Sequence, residues 1–120
     1  MTERLRTVPA ADVPARYAAV SGDASGLHLD EAAAREAGLP GVILHGLYTF
    51  GLAVRAASAD VDDDPRRIRS VRAQFRAPGV PGAEMVVDVE TDPADPAARI
   101  IHVRQDGADL LRNAVLTVEP

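Results

Sequence analysis

Residues 20–51 read VSGDASGLHLDEAAAREAGLPGVILHGLYTFG. An acid, Asp23, and an imidazole, His28, stand five residues apart in a loop punctuated by glycine. Asp30 can cap a short Ala-rich helix over 31–37, with Glu31 favourable at its positive end and Gly38 as the residue after its C-terminus. Leu39-Pro40-Gly41 turns the chain. His45-Gly46 then stands at the head of a long apolar segment, 42–59, with no charge between 42 and 54. A helix without a polar face is wrapped by other structure on most sides. At about 1.5 Å per residue this one would run over ~20 Å, enough to cross a small sheet. A Gly-rich turn beside a helix start is also where backbone N–H groups can point at a small negative charge, and a neighbouring carboxylate and imidazole can move protons.

Upstream, Leu5 to Val8 suggest a short strand. Asp12 before Val13-Pro14 predicts a helix with an Asx cap and a first-turn proline. Val13, Tyr17 and Val20 fall at i, i+4 and i+7, so they predict its buried face. Ser21-Gly22 ends it. Downstream the period changes from helical to two. Val71, Ala73 and Phe75 alternate with Ser70, Arg72, Gln74 and Arg76. Met85, Val87 and Val89 alternate with Val86, Asp88 and Glu90. Strands over 100–105 and 110–118 follow, with Asp106-Gly107 as a hairpin signal. These four strands read as an antiparallel meander, each half buried. One greasy helix followed by long strands predicts an α+β domain with the sheet curled around the helix. Such a sheet leaves an open edge, which pairing in a dimer would protect.

The chain has 120 residues, room for one compact domain with one core over residues 1–120. Aromatic residues are 3% and Trp is absent, while the formal net charge is −5; both argue against a nucleic-acid groove. With no cysteine there is no disulfide framework, thiol nucleophile or zinc–thiolate site. No apolar run reaches the roughly 18 residues needed to span a bilayer, and residues 1–14 carry no apolar signal core. A soluble cytoplasmic protein is therefore expected. The three histidines show no metal-ligand spacing, so no metal is expected either.

The runs Tyr17-Ala18-Ala19-Val20-Ser21-Gly22-Asp23, Leu27-His28-Leu29-Asp30 and Ile43-Leu44-His45-Gly46 resemble the hydratase signature of the MaoC-like dehydratases. These are the (R)-specific enoyl-thioester hydratases and hydroxyacyl-thioester dehydratases of the hot-dog fold. Phe75 to Pro78, with Pro81-Gly82 beyond, is similar to that family's strand and turn. The resemblance covers residues 13–118 and is strongest over 17–46. It implies Asp23 and His28 as the catalytic pair for reversible syn hydration of a trans-2-enoyl thioester. It also implies an amide at Gly46 for the enolate oxygen, with Ser21, Ser25 and Tyr48 as candidates for positioning substrate. No cofactor is implied. The expected partners are coenzyme A or acyl-carrier-protein thioesters and a second subunit, a copy or a paralogue. One departure stands out: Ser25-Gly26 occupies the place of the family's usual Asn-Pro, giving a shorter hydrogen-bonding side chain and a looser loop.

Taken alone, each of these residues has a plainer reading. Asp23 suits a helix-ending turn, and His28 or His45 suits a core histidine bonded to a carbonyl. His45 is expected to support structure, and His102 to face solvent. Arg72 and Arg76 read first as a solvated strand face and second as a phosphate contact for the thioester carrier. Two other functions stay open: a non-catalytic acyl-binding subunit, and a thioesterase, which would need an acid on the long helix that residues 42–54 lack.

Overall fold

A computed structural model describes residues 2–119. The chain runs β1 (Thr2–Thr7), α1 (Val13–Ser21), α2 (Gly26–Leu29), α3 (Glu31–Glu36) and α4 (Gly46–Ala57). Two 3₁₀ turns follow, Ala59–Val61 and Pro65–Arg67. Then come β2 (Ile68–Phe75), β3 (Met85–Asp92), β4 (Asp95–Gln105), the two-residue β5 (Ala108–Asp109) and β6 (Leu111–Val118). All pairings are antiparallel, in the order β1-β3-β4-β6-β2, with β5 beside β4. No helix is long and apolar enough to cross a membrane among these residues.

The predicted meander is therefore wrong in one respect. β3, β4 and β6 follow one another across the sheet, but β2 pairs with β6 at the far edge. The reason is α4. It lies between β1 and β2 in the chain and packs against β1, β2, β3, β4 and β6. A helix that crosses a sheet delivers the chain to the opposite edge, and the later strands fill the space between.

The core forms where the sheet meets α4. Met85, Val87 and Val89 of β3 point inward with Ile101 and Val103 of β4 and Leu116 and Val118 of β6. The helix answers with Thr49, Ala53, Ala56 and Ala57. These small residues recur at helical spacing, so the helix axis can lie close to the sheet while the sheet supplies the bulk. The alternation in β3 is as predicted. That in β2 is not: Val71 and Ala73 are half-buried, but Phe75 is 58% exposed. A register shift between Arg72 and Gln74 re-aims the strand end before it reaches Phe75. Asp106 and Gly107 do turn the β4–β5 hairpin, with φ of 50° and 77°, the left-handed pair a tight hairpin needs.

Three helical expectations change. The long helix starts at Gly46, because residues 42–45 spend their backbone groups elsewhere. Ile43 N–H donates to the Leu27 carbonyl at 3.0 Å, and Leu44 N–H to the Gly79 carbonyl at 2.8 Å. Its 12 residues span about 18 Å. α1 buries Pro14 and Ala18, whereas Val20 is 90% exposed. Asp12 stands at the N-cap position of α1 but makes no capping hydrogen bond. Asp30, by contrast, caps α3 as predicted, accepting from Ala32 N–H and Ala33 N–H.

One ion pair ties the 3₁₀ turn after α4 to the sheet. Asp60 and Arg99 meet at 2.8 Å with side chains only 12% and 11% exposed. Removing one partner leaves a poorly solvated charge behind. Arg99→Ala should lower the unfolding free energy by roughly 3 kcal/mol, read from urea denaturation midpoints. A second pair acts through pH. The Arg4 guanidinium, hydrogen-bonded to Asp88, holds that carboxyl below the usual carboxylate range. Its contribution is present above the unfolded value, near pH ~4, and is lost as pH falls through the folded value. Asp88→Asn should therefore lower the melting temperature at neutral pH, with the difference from wild type shrinking as pH falls below about 4, so that the acid side of the profile flattens.

Candidate active site

The loop after α1 and the segment before α4 are clasped together, and the clasp sets the histidines. Ile43 donates its N–H to Leu27 and accepts at its carbonyl from His28 Nδ1 at 2.9 Å. A carbonyl only accepts, so Nδ1 of His28 carries the proton. In the neutral ring Nε2 is then a bare acceptor. That Nε2 faces Asp23 Oδ2 at 3.9 Å. The gap is too long for a hydrogen bond between them. Two acceptors at that separation suit one water donating to both. The His28 side chain is 12% exposed and that of Asp23 56%. The imidazole is thus sheltered and the carboxylate sits at the rim.

His45 completes the group. It is 2% exposed, its ring stacks on that of His28 with centroids 3.8 Å apart and planes 17° apart, and Nε2 donates to the Asp23 carbonyl at 2.8 Å. Tyr17 packs on its other side at 4.7 Å. The carbonyl bond is what the sequence suggested for His45. The stacking is not, since residues 28 and 45 carry no shared motif. Asp23, His28 and His45 offer three ligand-type atoms within 4.8 Å of one another. Face-to-face rings direct their in-plane lone pairs side by side, however, and one nitrogen of each already donates to a carbonyl. This suits a bridging water better than convergence on an ion.

Beside this group lies a cleft of about 270 Å³. His28, Ile43 and Leu44 line one side, Gly46 and Thr49 the start of α4, and Phe75 to Gly79 with Leu110 and Leu111 the other. Gly46 opens α4 with His45 as its N-cap. First-turn N–H groups lie ahead of the intrahelical ladder, at the positive end of the helix. A Cβ at Gly46 would come within 3.0 Å of the Phe75 ring, so glycine lets Phe75 close over the helix start.

The other sequence candidates divide. Ser21 Oγ accepts from Asp23 N–H at 3.1 Å, and Ser25 N–H donates to Asp23 Oδ1 at 3.3 Å. Both therefore shape the Asp23 turn, and neither lines the cleft. Tyr48 lies outside the cleft as well, edge-on to Tyr17 at 6.0 Å in a separate groove with Val13 and Val20. Arg76 lines the cleft and Arg72 does not. His102 is exposed as expected, 3.9 Å from Glu90. The cleft wall from Ala77 to Gly79 was legible only as a turn. It enters the site through the Leu44–Gly79 backbone bond.

The MaoC like domain family matches residues 2–107, and the chain belongs to that family. It is 30% identical to "Probable enoyl-CoA hydratase 2" of Dictyostelium discoideum over 107 residues, covering 87% of this chain and 36% of that protein. It is 37% identical to 3-hydroxyacyl-thioester dehydratase Y of Mycobacterium tuberculosis over 93 residues, 75% of this chain and 32% of that one. The full-length peroxisomal multifunctional enzyme type 2 of Drosophila melanogaster superposes with a TM-score of 0.87 at 28% identity, over 97% of this chain and 22% of that one. The chain thus spans about a third or less of these relatives' lengths, and its α+β architecture is that of the hot-dog MaoC-like proteins.

If the stack carries weight, His45→Ala should cost about 1–3 kcal/mol, through a lost buried hydrogen bond and an emptied ring site. Chemical denaturation of both proteins measures this; an unchanged midpoint would assign the ring no structural role.

Proposed function

We propose that this chain is a hydro-lyase: it hydrates trans-2-enoyl thioesters and, in reverse, dehydrates (R)-3-hydroxyacyl thioesters, with Asp23 and His28 as the catalytic pair. The observation that carries the reading is the bare Nε2 of His28 facing Asp23 Oδ2 at 3.9 Å beside an apolar-walled cleft. The named activities of the hydratase and dehydratase relatives point to the same chemistry.

A water held by both acceptors is oriented with its oxygen toward the β carbon. As the C–O bond forms, one water proton passes to His28 Nε2, and the π electrons move onto the thioester oxygen. The N–H of Gly46, at the helix start, offers that oxygen a fixed donor. The pair then returns a proton to the α carbon, so that H and OH have added across the double bond. Protonated His28 keeps its bond to the Ile43 carbonyl, and Asp23 faces the new charge. Ser21 and Ser25 hold the Asp23 turn. Arg76, on the cleft wall, leads toward the carrier, either coenzyme A or an acyl carrier protein, and Arg72 lies beyond it. The compartment proposed is the cytoplasm. The working unit proposed is a dimer, of two copies or with a paralogue, since β1 and β2 are sheet edges. α4 carries no acid, which disfavours the thioesterase reading.

Crotonyl-CoA tests the assignment. Loss of the enoyl chromophore without free thiol is expected. Thiol release would indicate a thioesterase, and no change in either a non-catalytic subunit. Asp23→Asn and His28→Ala should each lower kcat/KM by about 10²–10⁴-fold while thermal melting stays near wild type. Turnover that survives both changes would sink the pair.

A further inference from the structure

The most buried polar side chain lining the cleft has no part in the chemistry above. Thr49 is 3% exposed, while His28 is half-buried and Arg76 exposed. A threonine in a helix ordinarily turns its hydroxyl onto the carbonyl four residues back. For Thr49 that carbonyl is His45, and it is already taken. It accepts from Tyr48 N–H at 3.0 Å and from Thr49 N–H at 3.3 Å. Among the described residues the Thr49 hydroxyl has no hydrogen-bond partner. The fully enclosed side-chain atoms that lack partners there are His45 Nδ1 and Asp60 Oδ1. The Thr49 oxygen is not one of them, so it opens onto the cleft its residue lines. Position then decides what it meets. Gly46 and Thr49 stand at i and i+3, on one face of α4. A helical Cα–Cβ bond tilts toward the N-terminus, so the Thr49 side chain reaches back over the first turn. Gly46 has no side chain to fill that space, and its N–H has no intrahelical acceptor. An amide and a hydroxyl therefore share the end of the cleft that also holds His28.

We infer that Thr49 is a second donor to the thioester oxygen, paired with Gly46 N–H. As the π electrons move onto that oxygen, the hydroxyl donates a hydrogen bond and keeps its own proton. The bond strengthens as negative charge builds on the oxygen, so it favours the transition state over the bound thioester. The surroundings leave the hydroxyl little else to do. Leu44, Phe75 and Leu110 line the same cleft and carry no polar side-chain atom. A hydroxyl held among such groups without an acceptor costs stability, and a substrate oxygen removes that cost. This inference rests on the thioester reading above, and it adds a residue of α4 that touches the reacting atoms.

Two substitutions separate the hydroxyl from the shape. Thr49→Val removes the hydroxyl and keeps the branching, whereas Thr49→Ser keeps the hydroxyl and drops the methyl. With crotonyl-CoA, Thr49→Val should lower kcat by about 10²-fold, the loss expected for one oxyanion donor, and leave KM within about threefold. Thr49→Ser should recover most of the lost rate. Thr49→Val should melt at or above wild type, because it removes an unpartnered hydroxyl from apolar surroundings. A second readout needs no turnover. Butanoyl-CoA labelled with carbon-13 at its carbonyl is saturated and cannot be hydrated. Its bound carbonyl stretch, read by isotope-edited infrared difference spectroscopy, should lie below that of the free thioester. The band should move back up in Thr49→Val and return in Thr49→Ser. An unchanged kcat in Thr49→Val, or a rise in KM alone, would overturn the assignment. So would the absence of a bound band, a band at the free position, or one that is the same in wild type and Thr49→Val. A chain that loses turnover in Asp23→Asn but not in Thr49→Val keeps the proposed reaction and loses this donor. One whose carbonyl band follows the hydroxyl but that turns over no enoyl thioester does the reverse.

Discussion

The arrangement turns on the backbone hydrogen bonding of one residue, Ile43. Its N–H donates to the Leu27 carbonyl and its own carbonyl accepts from His28 Nδ1–H. With Leu44 bound to Gly79 next door, residues 42–45 stay extended, and α4 is forced to begin at Gly46. The same carbonyl chooses the tautomer of His28, and so decides which nitrogen is left facing Asp23. A local backbone choice thereby sets a helix start, a ring orientation and a proton inventory together.

The scaffold supports this by being rigid where it needs to be. Small residues on α4 bring the helix close to the sheet, and the sheet's large side chains fill the remaining volume. His45 transmits that rigidity outward. Buried behind His28, it stacks on the ring and holds the Asp23 carbonyl. Asp23 itself is at the surface, in a turn closed by Ser21 and Ser25. The Asp23 backbone is thus held by the imidazole behind it as well as by the short polar turn.

Charge is distributed with a similar economy. The acids along Asp88, Asp60 and Asp109 are matched by Arg4, Arg99 and Arg104. Arg72, Arg76 and Arg112 are left over on one stretch of the sheet. An acidic chain can still present a local positive field, because exposed charges are screened beyond about 10 Å in ordinary salt.

Much was written in the order of residues. Period-two alternation in β3 marked Met85, Val87 and Val89 as core, Asp30 announced its helix, Asp106-Gly107 its hairpin, and residues 17–46 the family. Each is a local rule, in which side-chain spacing or a cap acts over a few residues. What local rules cannot carry is who meets whom. The crossing of β2 to β6, the extended run before Gly46, the exposure of Val20 and Phe75, and the stacking of His45 on His28 all depend on contacts between segments distant in sequence. Those contacts take up backbone and ring surfaces that spacing alone leaves unassigned, so only the folded chain decides them.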